Sequence, residues 1–147
     1  MSLIPQFVAQ RAAFEEAYQT GQWHLLSGFF ADDLVYEVLN MPFHCRLEGR
    51  AAVISGLQRS VERFDQLCRR TVGIGAVIRE EGANVLVNSG IRFERDDAPP
   101  IEVRLWEIAT YHEGKIRRLM DIYDAPDHDR FAEWMAEWGE GLDPSYA

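Results

Sequence analysis

One carboxylate stands out among the side chains that could do chemistry. Asp121 lies in the stretch RRLMDIYD, where the surrounding pattern is that of a well-packed β-strand. A carboxyl group buried beside aromatic rings loses hydration, so its pKa rises towards the range in which it can both accept and donate a proton. Asp121 is therefore our first candidate for a catalytic acid or base. The alternative is a purely structural ion pair within the sheet.

The neighbours of Asp121 follow from the predicted hairpin register. Glu113 and Gly114 form a two-residue turn signal, which sets His112 against Lys115 and places Trp106 opposite Asp121. The same face would carry the following side chains: Arg104, Trp106, Ile108, Thr110, Arg117, Leu119, Asp121 and Tyr123. A mixed aromatic and polar face of this kind is typical of a pocket wall. The opposite face, apolar apart from Glu107 diagonal to Arg118, is typical of a packing or dimer surface.

Several nearby residues are candidates for shaping this pocket. Arg104 would hold Asp121 ionised, which suits it to activate water or abstract an acidic C–H proton. Trp106 offers an apolar wall and one N–H donor, although most strand tryptophans belong to the core. Asn40 can orient water or serve as a turn residue. His44 can move protons near neutral pH at the pocket mouth, or simply be exposed.

The order of predicted elements indicates an α+β domain with an antiparallel sheet and helices on one side. Helical spacing of apolar residues predicts helices over 4–19, 22–30, 50–65 and 127–139. Strand patterns and turn signals predict β-strands over 34–39, 69–79, 84–95, 101–112 and 115–123. The length of 147 residues favours one domain, spanning 1–147.

Composition narrows the function classes. A net charge of −9 disfavours nucleic acid and anionic membrane surfaces as partners. Apolar residues make up 47% of the chain, yet no uninterrupted apolar run approaches the roughly 20 residues of a membrane helix. The two cysteines, Cys45 and Cys68, fit neither a disulfide framework nor a zinc site, so we expect a reduced, cytoplasmic protein. Because HExxH, phosphate-loop and GxSxG patterns are missing, we expect no metal, no cofactor and no serine-hydrolase chemistry.

Three stretches resemble the nuclear-transport-factor-2-like (NTF2-like) superfamily, in its SnoaL-like polyketide cyclase and limonene epoxide hydrolase branch. They are FADDLVYEV, NMPF followed by EGRAAVISGL, and EGKIRRLMDIYD. The resemblance covers most of the chain. It implies a cystatin-like, cone-shaped α+β barrel, in which a curved antiparallel sheet wraps around helices and a deep apolar pocket, and a homodimer formed through the sheet.

Limonene epoxide hydrolases use two aspartates bridged by an arginine, with a tyrosine and an asparagine that hold the attacking water. The resemblance aligns Asp121 with the last-strand aspartate, Asn40 with the asparagine and, approximately, Tyr36 with the tyrosine. Where that branch has arginine, one residue and aspartate, this chain has Gly90-Ile91-Arg92. Arg92 is therefore the expected catalytic arginine, without the second aspartate.

Ketosteroid isomerase positions match less well, because they fall at Phe14, Val38 and close to Trp106. A SnoaL-like reaction needs mainly one carboxylate acting on an enolisable substrate, and Asp121 can supply it. We therefore expect a cofactor-independent isomerase, cyclase, dehydratase or hydrolase acting on a small hydrophobic molecule. Asp121 and Arg92 would be catalytic. The substrate would be bound by Tyr36, Asn40, His44, Arg104, Trp106 and Tyr123. The alternative is a non-catalytic ligand-binding or dimerising module of the same fold.

Overall fold

Three α-helices and six β-strands occupy residues 2–147, the part of the chain described by the computed structural model. The α-helices are α1 (Ile4–Thr20), α2 (Arg50–Arg63) and α3 (Ala125–Trp138), and short 3-10 helices span Trp23–Phe29 and Asp65–Leu67. The strands are β1 (Phe30–Leu39), β2 (Cys45–Glu48), β3 (Arg69–Glu81), β4 (Asn84–Glu94), β5 (Ile101–His112) and β6 (Lys115–Tyr123). The predicted α+β class is confirmed.

The sheet is mixed, with strand order β2-β1-β6-β5-β4-β3. Every neighbouring pair is antiparallel except β1 and β6, which run parallel. The sheet therefore differs from the predicted all-antiparallel arrangement, and it includes β2, a strand of only four residues that the sequence pattern does not predict. A strand that short gives too little alternation to distinguish it from a loop.

Glycine and proline define the ends of α1 as the sequence suggests. Pro5 lies in the first turn, and Gly21 follows the helix with a φ of 76°, a left-handed conformation that glycine adopts without strain. The free backbone N–H groups of Leu3 and Ile4 donate to the Glu80 carboxylate at 2.7 and 3.3 Å. Phe7, Phe14 and Ala17 are buried against the inner face of the sheet. None of the helices within residues 2–147 has the length and hydropathy required to cross a bilayer.

The β5–β6 hairpin corrects the predicted register. Both turn residues have positive φ, 50° at Glu113 and 79° at Gly114, as a tight two-residue hairpin turn requires. His112 faces Lys115, as predicted, but Arg117 is an extra residue that shifts the ladder, so Glu107, not Trp106, faces Asp121. The bulge leaves both Arg117 and Arg118 exposed while Ile116 and Leu119 are buried. Strict alternation would have buried one of the two arginines.

The edge strand β3 is irregular. Its pairing with β4 shifts between Thr71 and Ile74 and again between Ile74 and Val77. Gly73 and Gly75 within these breaks have φ values of 72° and 59°, a region that residues with a Cβ rarely occupy. The strand therefore bends at two places close together.

Candidate functional site

A cavity of about 470 Å³ lies between the inner face of the sheet and the helices. Its lining is mostly apolar and aromatic. The cavity opens between α1 and the irregular part of β3, where the lining residues Val8, Ala12, Val72, Gly73 and Ala76 are exposed. The volume is within the range of ordinary small-molecule pockets.

Asp121 lies in the wall of this cavity, as the sequence analysis predicted, with only 7% of its surface exposed. The buried Tyr36 hydroxyl donates a short hydrogen bond, 2.5 Å, to Oδ2 of Asp121. The other carboxyl oxygen, Oδ1, is buried and accepts no hydrogen bond from an N–H or O–H donor among the described residues, while the Glu107 carboxyl is close enough to share a proton with Asp121. A buried polar atom without a partner is costly, so such an atom in a cavity wall is a candidate contact for a ligand.

Burial raises the pKa of Asp121 well above its usual value, and the negative charge of Glu107 raises it further. The hydrogen bond from Tyr36 acts in the opposite direction but is the smaller effect. Glu107 faces Asp121 across the β5–β6 ladder and also lines the cavity. Two carboxyl groups this close cannot both ionise readily, so the raised pKa favours the protonated form of Asp121. Burial also raises the pKa of the Tyr36 phenol, which therefore stays protonated.

A row of alternating charges continues from Glu107 along the cavity wall. The Arg11 guanidinium lies 4.0 Å from Glu107 and 3.7 Å from Glu15. Arg70, with only 8% of its side chain exposed, lies 2.5 Å from Glu15 and 3.7 Å from Asp65. Burial raises the pKa of Asp65 to about 6, although the charge of Arg70 opposes the change. These residues connect the pair Asp121 and Glu107, called the acid site below, to α1 and to the short helix before β3.

Aromatic rings surround the Tyr36 side of the acid site. Tyr123 is buried in the cavity wall, as predicted, and burial raises its pKa well above the usual value. Phe43 packs edge-on against Tyr123 with ring centres 5.7 Å apart. Tyr146, from the segment that follows α3, packs edge-on against Tyr36 at 5.4 Å. The polar pair of carboxyls therefore sits in an otherwise aromatic environment.

Two predicted site residues on the loop after β1 have structural contacts instead. Asn40 adopts a positive φ of 66°, and its side-chain amide donates to the Tyr123 carbonyl at 3.0 Å, which fastens the end of β1 to β6. The Nδ1 atom of His44 lies 3.3 Å from the Met41 carbonyl. Both side chains lie outside the cavity wall, so the predicted placement of Asn40 and His44 in the pocket is wrong. The turn role that was the alternative for Asn40 fits its backbone.

Arg92, Arg104 and Trp106 lie on the outer face of the sheet, so their predicted placement beside Asp121 is also wrong. Arg92 is half-exposed and donates to Glu102 at 3.0 Å. It points outward because Ile91 and Phe93, its neighbours in the strand, line the cavity. Arg104 and Trp106 point outward because the extra residue at Arg117 shifts the β5–β6 pairing by one position. This shift places both side chains on the face of the sheet opposite to Asp121.

The contacts of Arg104 and Trp106 are structural. Arg104 donates to the side-chain oxygen of Asn88 at 2.8 Å and to the carbonyls of Ile74 and Gly75 at 3.3 and 2.9 Å. It therefore fastens the irregular part of β3 to β5. Trp106 lies beneath the Arg79 guanidinium, 5.6 Å from the ring centre.

Three residues of the site are not among the predicted ones: Glu107, Arg11 and Tyr146. The Arg117-Arg118 pair was a usable signal for Glu107, because two adjacent arginines between buried residues indicate a bulge. Arg11 and Tyr146 lie far from Asp121 in the sequence, and no local pattern links them to it. Across residues 2–147, no group of three or more His, Cys, Asp or Glu side chains is arranged to hold a metal ion.

Neither the protein-family models nor the curated proteins give a match to this sequence. The fold, by contrast, matches many solved structures. An NTF2-like protein from Burkholderia xenovorans LB400 is 17% identical, with a TM-score of 0.65 over 84% of this chain and 92% of the other. An LEH-like epoxide hydrolase from M. tuberculosis is 20% identical, with a TM-score of 0.62 over 90% and 93%. A proposed polyketide cyclase from Xanthomonas campestris pv. campestris is 21% identical, with a TM-score of 0.58 over 88% and 93%. This chain has the NTF2-like α+β cone fold, as its sequence suggested.

Proposed function

We propose that this protein is a cofactor-independent acid/base enzyme that acts on a small hydrophobic molecule bearing a carbonyl or ether oxygen. Asp121 is the general acid and Glu107 the general base. The observation that carries the proposal is the unpartnered Oδ1 atom of the buried Asp121, which lies in the wall of an apolar cavity and opposite a second carboxyl group. Such a pair can donate one proton and accept another at neutral pH.

The proton balance of the proposed step is simple. The protonated carboxyl of Asp121 donates its proton to the substrate oxygen while the Glu107 carboxylate removes a proton from an adjacent carbon or from a bound water. An enolisable ketone becomes an enol. Reprotonation at carbon by Glu107, with return of the enol O–H proton to Asp121, gives an isomer. Attack of the enol carbon on a second carbonyl of the substrate, whose oxygen takes the proton from Glu107 while the enol O–H returns its proton to Asp121, gives a cyclised product. An epoxide instead opens by addition of the deprotonated water. In the epoxide reaction a later proton transfer from Glu107 to Asp121 restores the starting state, whereas in the ketone reactions the two proton returns restore it directly.

The charges around the site favour a neutral substrate. Arg11 and Arg70 offset the carboxylates of Glu107 and Glu15, which are their ion-pair partners. Asp65, which belongs to the same row of charges, also pairs with Arg70, so neither arginine lacks a carboxylate partner. A charged ligand would lose its hydration on binding without gaining an unpaired counter-charge.

The fold comparisons support the class of function and not a particular reaction. One structural neighbour is an epoxide hydrolase and another a proposed polyketide cyclase, and both share about a fifth of their residues with this chain. One scaffold supports many chemistries, so the reaction must be argued from the site.

The outer face of the sheet favours a second, compatible role as a dimerising surface. Trp106, Ile108, Met120 and Ile122 are all half-buried there, on adjacent strands in matching register. We propose that two copies of the chain associate through this face, because an apolar sheet surface of this kind is typical of a subunit interface.

Turnover of a panel of enolisable ketones and epoxides tests the proposed function. We expect Asp121→Asn and Glu107→Gln to lower kcat by at least about 100-fold, the usual contribution of a general acid or base. The matched control is Glu102→Gln, which removes an exposed carboxylate from the same strand. Ligand binding with equal, negligible turnover in the wild type and both variants would instead support the non-catalytic alternative.

A further inference from the structure

The segment that follows α3 runs back along α2 and is tied to it at three points. The backbone N–H of Asp143 donates to the Arg63 carbonyl at 3.0 Å. Arg59 donates to the Asp143 carboxylate at 3.3 Å. The Ser60 hydroxyl donates to the Pro144 carbonyl at 2.8 Å. Residues 140–147 lack helix and strand, so these contacts determine where the segment lies.

Gly56 in α2 allows the segment to approach closely. A Cβ atom at this position would lie 2.9 Å from the backbone oxygen of Tyr146 and 2.5 Å from the Leu47 side chain. The first contact is with backbone, which cannot rotate out of the way. Because Gly56 has no side chain, the backbone of Tyr146 can pack closely against α2, which places the Tyr146 ring in the cavity wall.

Tyr146 reaches the acid site through this segment. Its ring lines the cavity and its hydroxyl lies 3.4 Å from that of Tyr36. Burial raises the pKa of Tyr146, and the charge of Asp121 adds to the effect, so the phenol keeps its proton. Its position beside Tyr36 brings a third protonatable group to the acid site.

The contact between the two hydroxyls is weak. A phenol has one proton, and Tyr36 gives its own to Asp121 in the 2.5 Å bond. The same proton cannot also make a good hydrogen bond to the Tyr146 oxygen, and at 3.4 Å this contact is at the long end of the range. The O–H of Tyr146 is therefore not committed to a strong acceptor and can donate to a ligand.

We propose that Tyr146 binds the ligand: its O–H donates to the same ligand oxygen that accepts a proton or hydrogen bond from Asp121. The inference rests on the proposed function, because it takes the cavity beside Asp121 as the binding site. It specifies the ligand as a hydrogen-bond acceptor such as a ketone oxygen, held between the Tyr146 hydroxyl and Oδ1 of Asp121.

The test compares two probes of equal shape, 2-acetonaphthone and 2-isopropenylnaphthalene, in which a C=CH₂ group replaces the C=O group. Calorimetry gives the affinity of each for the wild type, Tyr146→Phe and Asp121→Leu. The control is Tyr111→Phe, which removes a buried phenol hydroxyl that has no hydrogen-bond partner within residues 2–147 and lies outside the cavity wall. We expect the wild type and the control to prefer the ketone.

Tyr146→Phe should weaken ketone binding by about 3- to 10-fold, as expected for one neutral hydrogen bond, and leave the hydrocarbon unaffected. Asp121→Leu should also reduce the preference for the ketone. If Asp121→Leu removes the preference and Tyr146→Phe does not, the role of Tyr146 is wrong and the proposed function stands. If the wild type shows no preference, both are wrong.

A second variant tests the position of Tyr146 without touching its hydroxyl. Gly56→Ala should displace the segment and reproduce the selective loss of ketone affinity seen with Tyr146→Phe. Hydrocarbon binding and the circular dichroism of the variant report whether the cavity and fold are intact. A folded Gly56→Ala variant with unchanged ketone preference would contradict the proposal.

Discussion

Glu107 on β5 and Asp121 on β6 face each other across the sheet, and both line the cavity. The pairing depends on the extra residue at Arg117, since a regular ladder would set Trp106 against Asp121. The two carboxyls are thereby forced to share a region of low hydration. The pKa of Asp121 is the property that most directly reports this relationship.

Removing the charge of Glu107 should lower the pKa of Asp121. The negative charge of Glu107 disfavours ionisation of its neighbour, so Glu107→Gln should move the pKa of Asp121 back towards the usual value for aspartate. The pH dependence of the infrared band of the protonated carboxyl, assigned by its loss in Asp121→Asn, measures this change. Glu102→Gln, which breaks only the exposed pair with Arg92, should leave the titration unaltered. An unchanged titration in Glu107→Gln would show that the two carboxyls do not interact.

Asp121 should make the protein less stable as the pH rises. Its pKa is raised on folding, so above the ordinary pKa of aspartate the folded state binds more protons than the unfolded state, and the free energy of unfolding falls with pH. Asp121→Asn cannot titrate. We expect its stability relative to wild type to improve steadily from about pH 4 upward. Urea unfolding across that range measures the difference, and a constant difference would contradict the raised pKa.

Asp65 should contribute a separate loss of stability between about pH 4 and pH 6. Its pKa is raised to about 6 in the folded protein, so stability present below the ordinary value is lost as the pH rises through this interval. The free energy involved is on the order of 3 kcal/mol. Asp65→Asn should remove this component from the urea-unfolding profile, at the expense of the ion pair with Arg70. Asp129→Asn, at a highly exposed position, is the control and should leave the profile as in wild type.

A charge on the outer face of the sheet should dissociate the proposed dimer. Ile122→Asp places a carboxylate in the centre of the apolar patch that includes Trp106, and an unpaired charge in a closed interface should weaken association by at least about 100-fold. Sedimentation velocity measures the change. Val8→Asp is the matched control, because Val8 is an exposed apolar residue at the cavity mouth and away from this face. A wild-type protein that is monomeric at high concentration would rule out this interface.

The sequence predicted most of the fold because its elements have strong local patterns. Periodicity identifies the stripe of α2, and strand patterns together with turn signals identify β5 and β6, which have the predicted bounds. The placement of Asp121 in a cavity was also predicted, although the register that led to it was wrong. The bulge at Arg117 shifts the pairing of β5 with β6 by one residue. As a result Glu107, and not Trp106, lies on the same face of the sheet as Asp121.

The rest of the site depends on contacts between distant parts of the chain. Arg11 reaches Glu107 from α1, and Tyr146 reaches Tyr36 from the segment after α3. Neither contact leaves a local signature, because each is determined by how whole elements pack. Arg92 was placed by resemblance alone, and strand alternation between Ile91 and Phe93 would have argued against it.

The irregular pairing of the edge strand β3 also affects the tendency of the protein to aggregate. Strand edges with long, straight rows of free amides and carbonyls recruit further strands and start aggregates. In β3, the two glycines with positive φ and the two changes of register interrupt the row of free backbone groups, so an additional strand cannot pair along the whole edge. The bends in β3 that lie at the mouth of the cavity therefore also hinder the addition of further strands to the sheet.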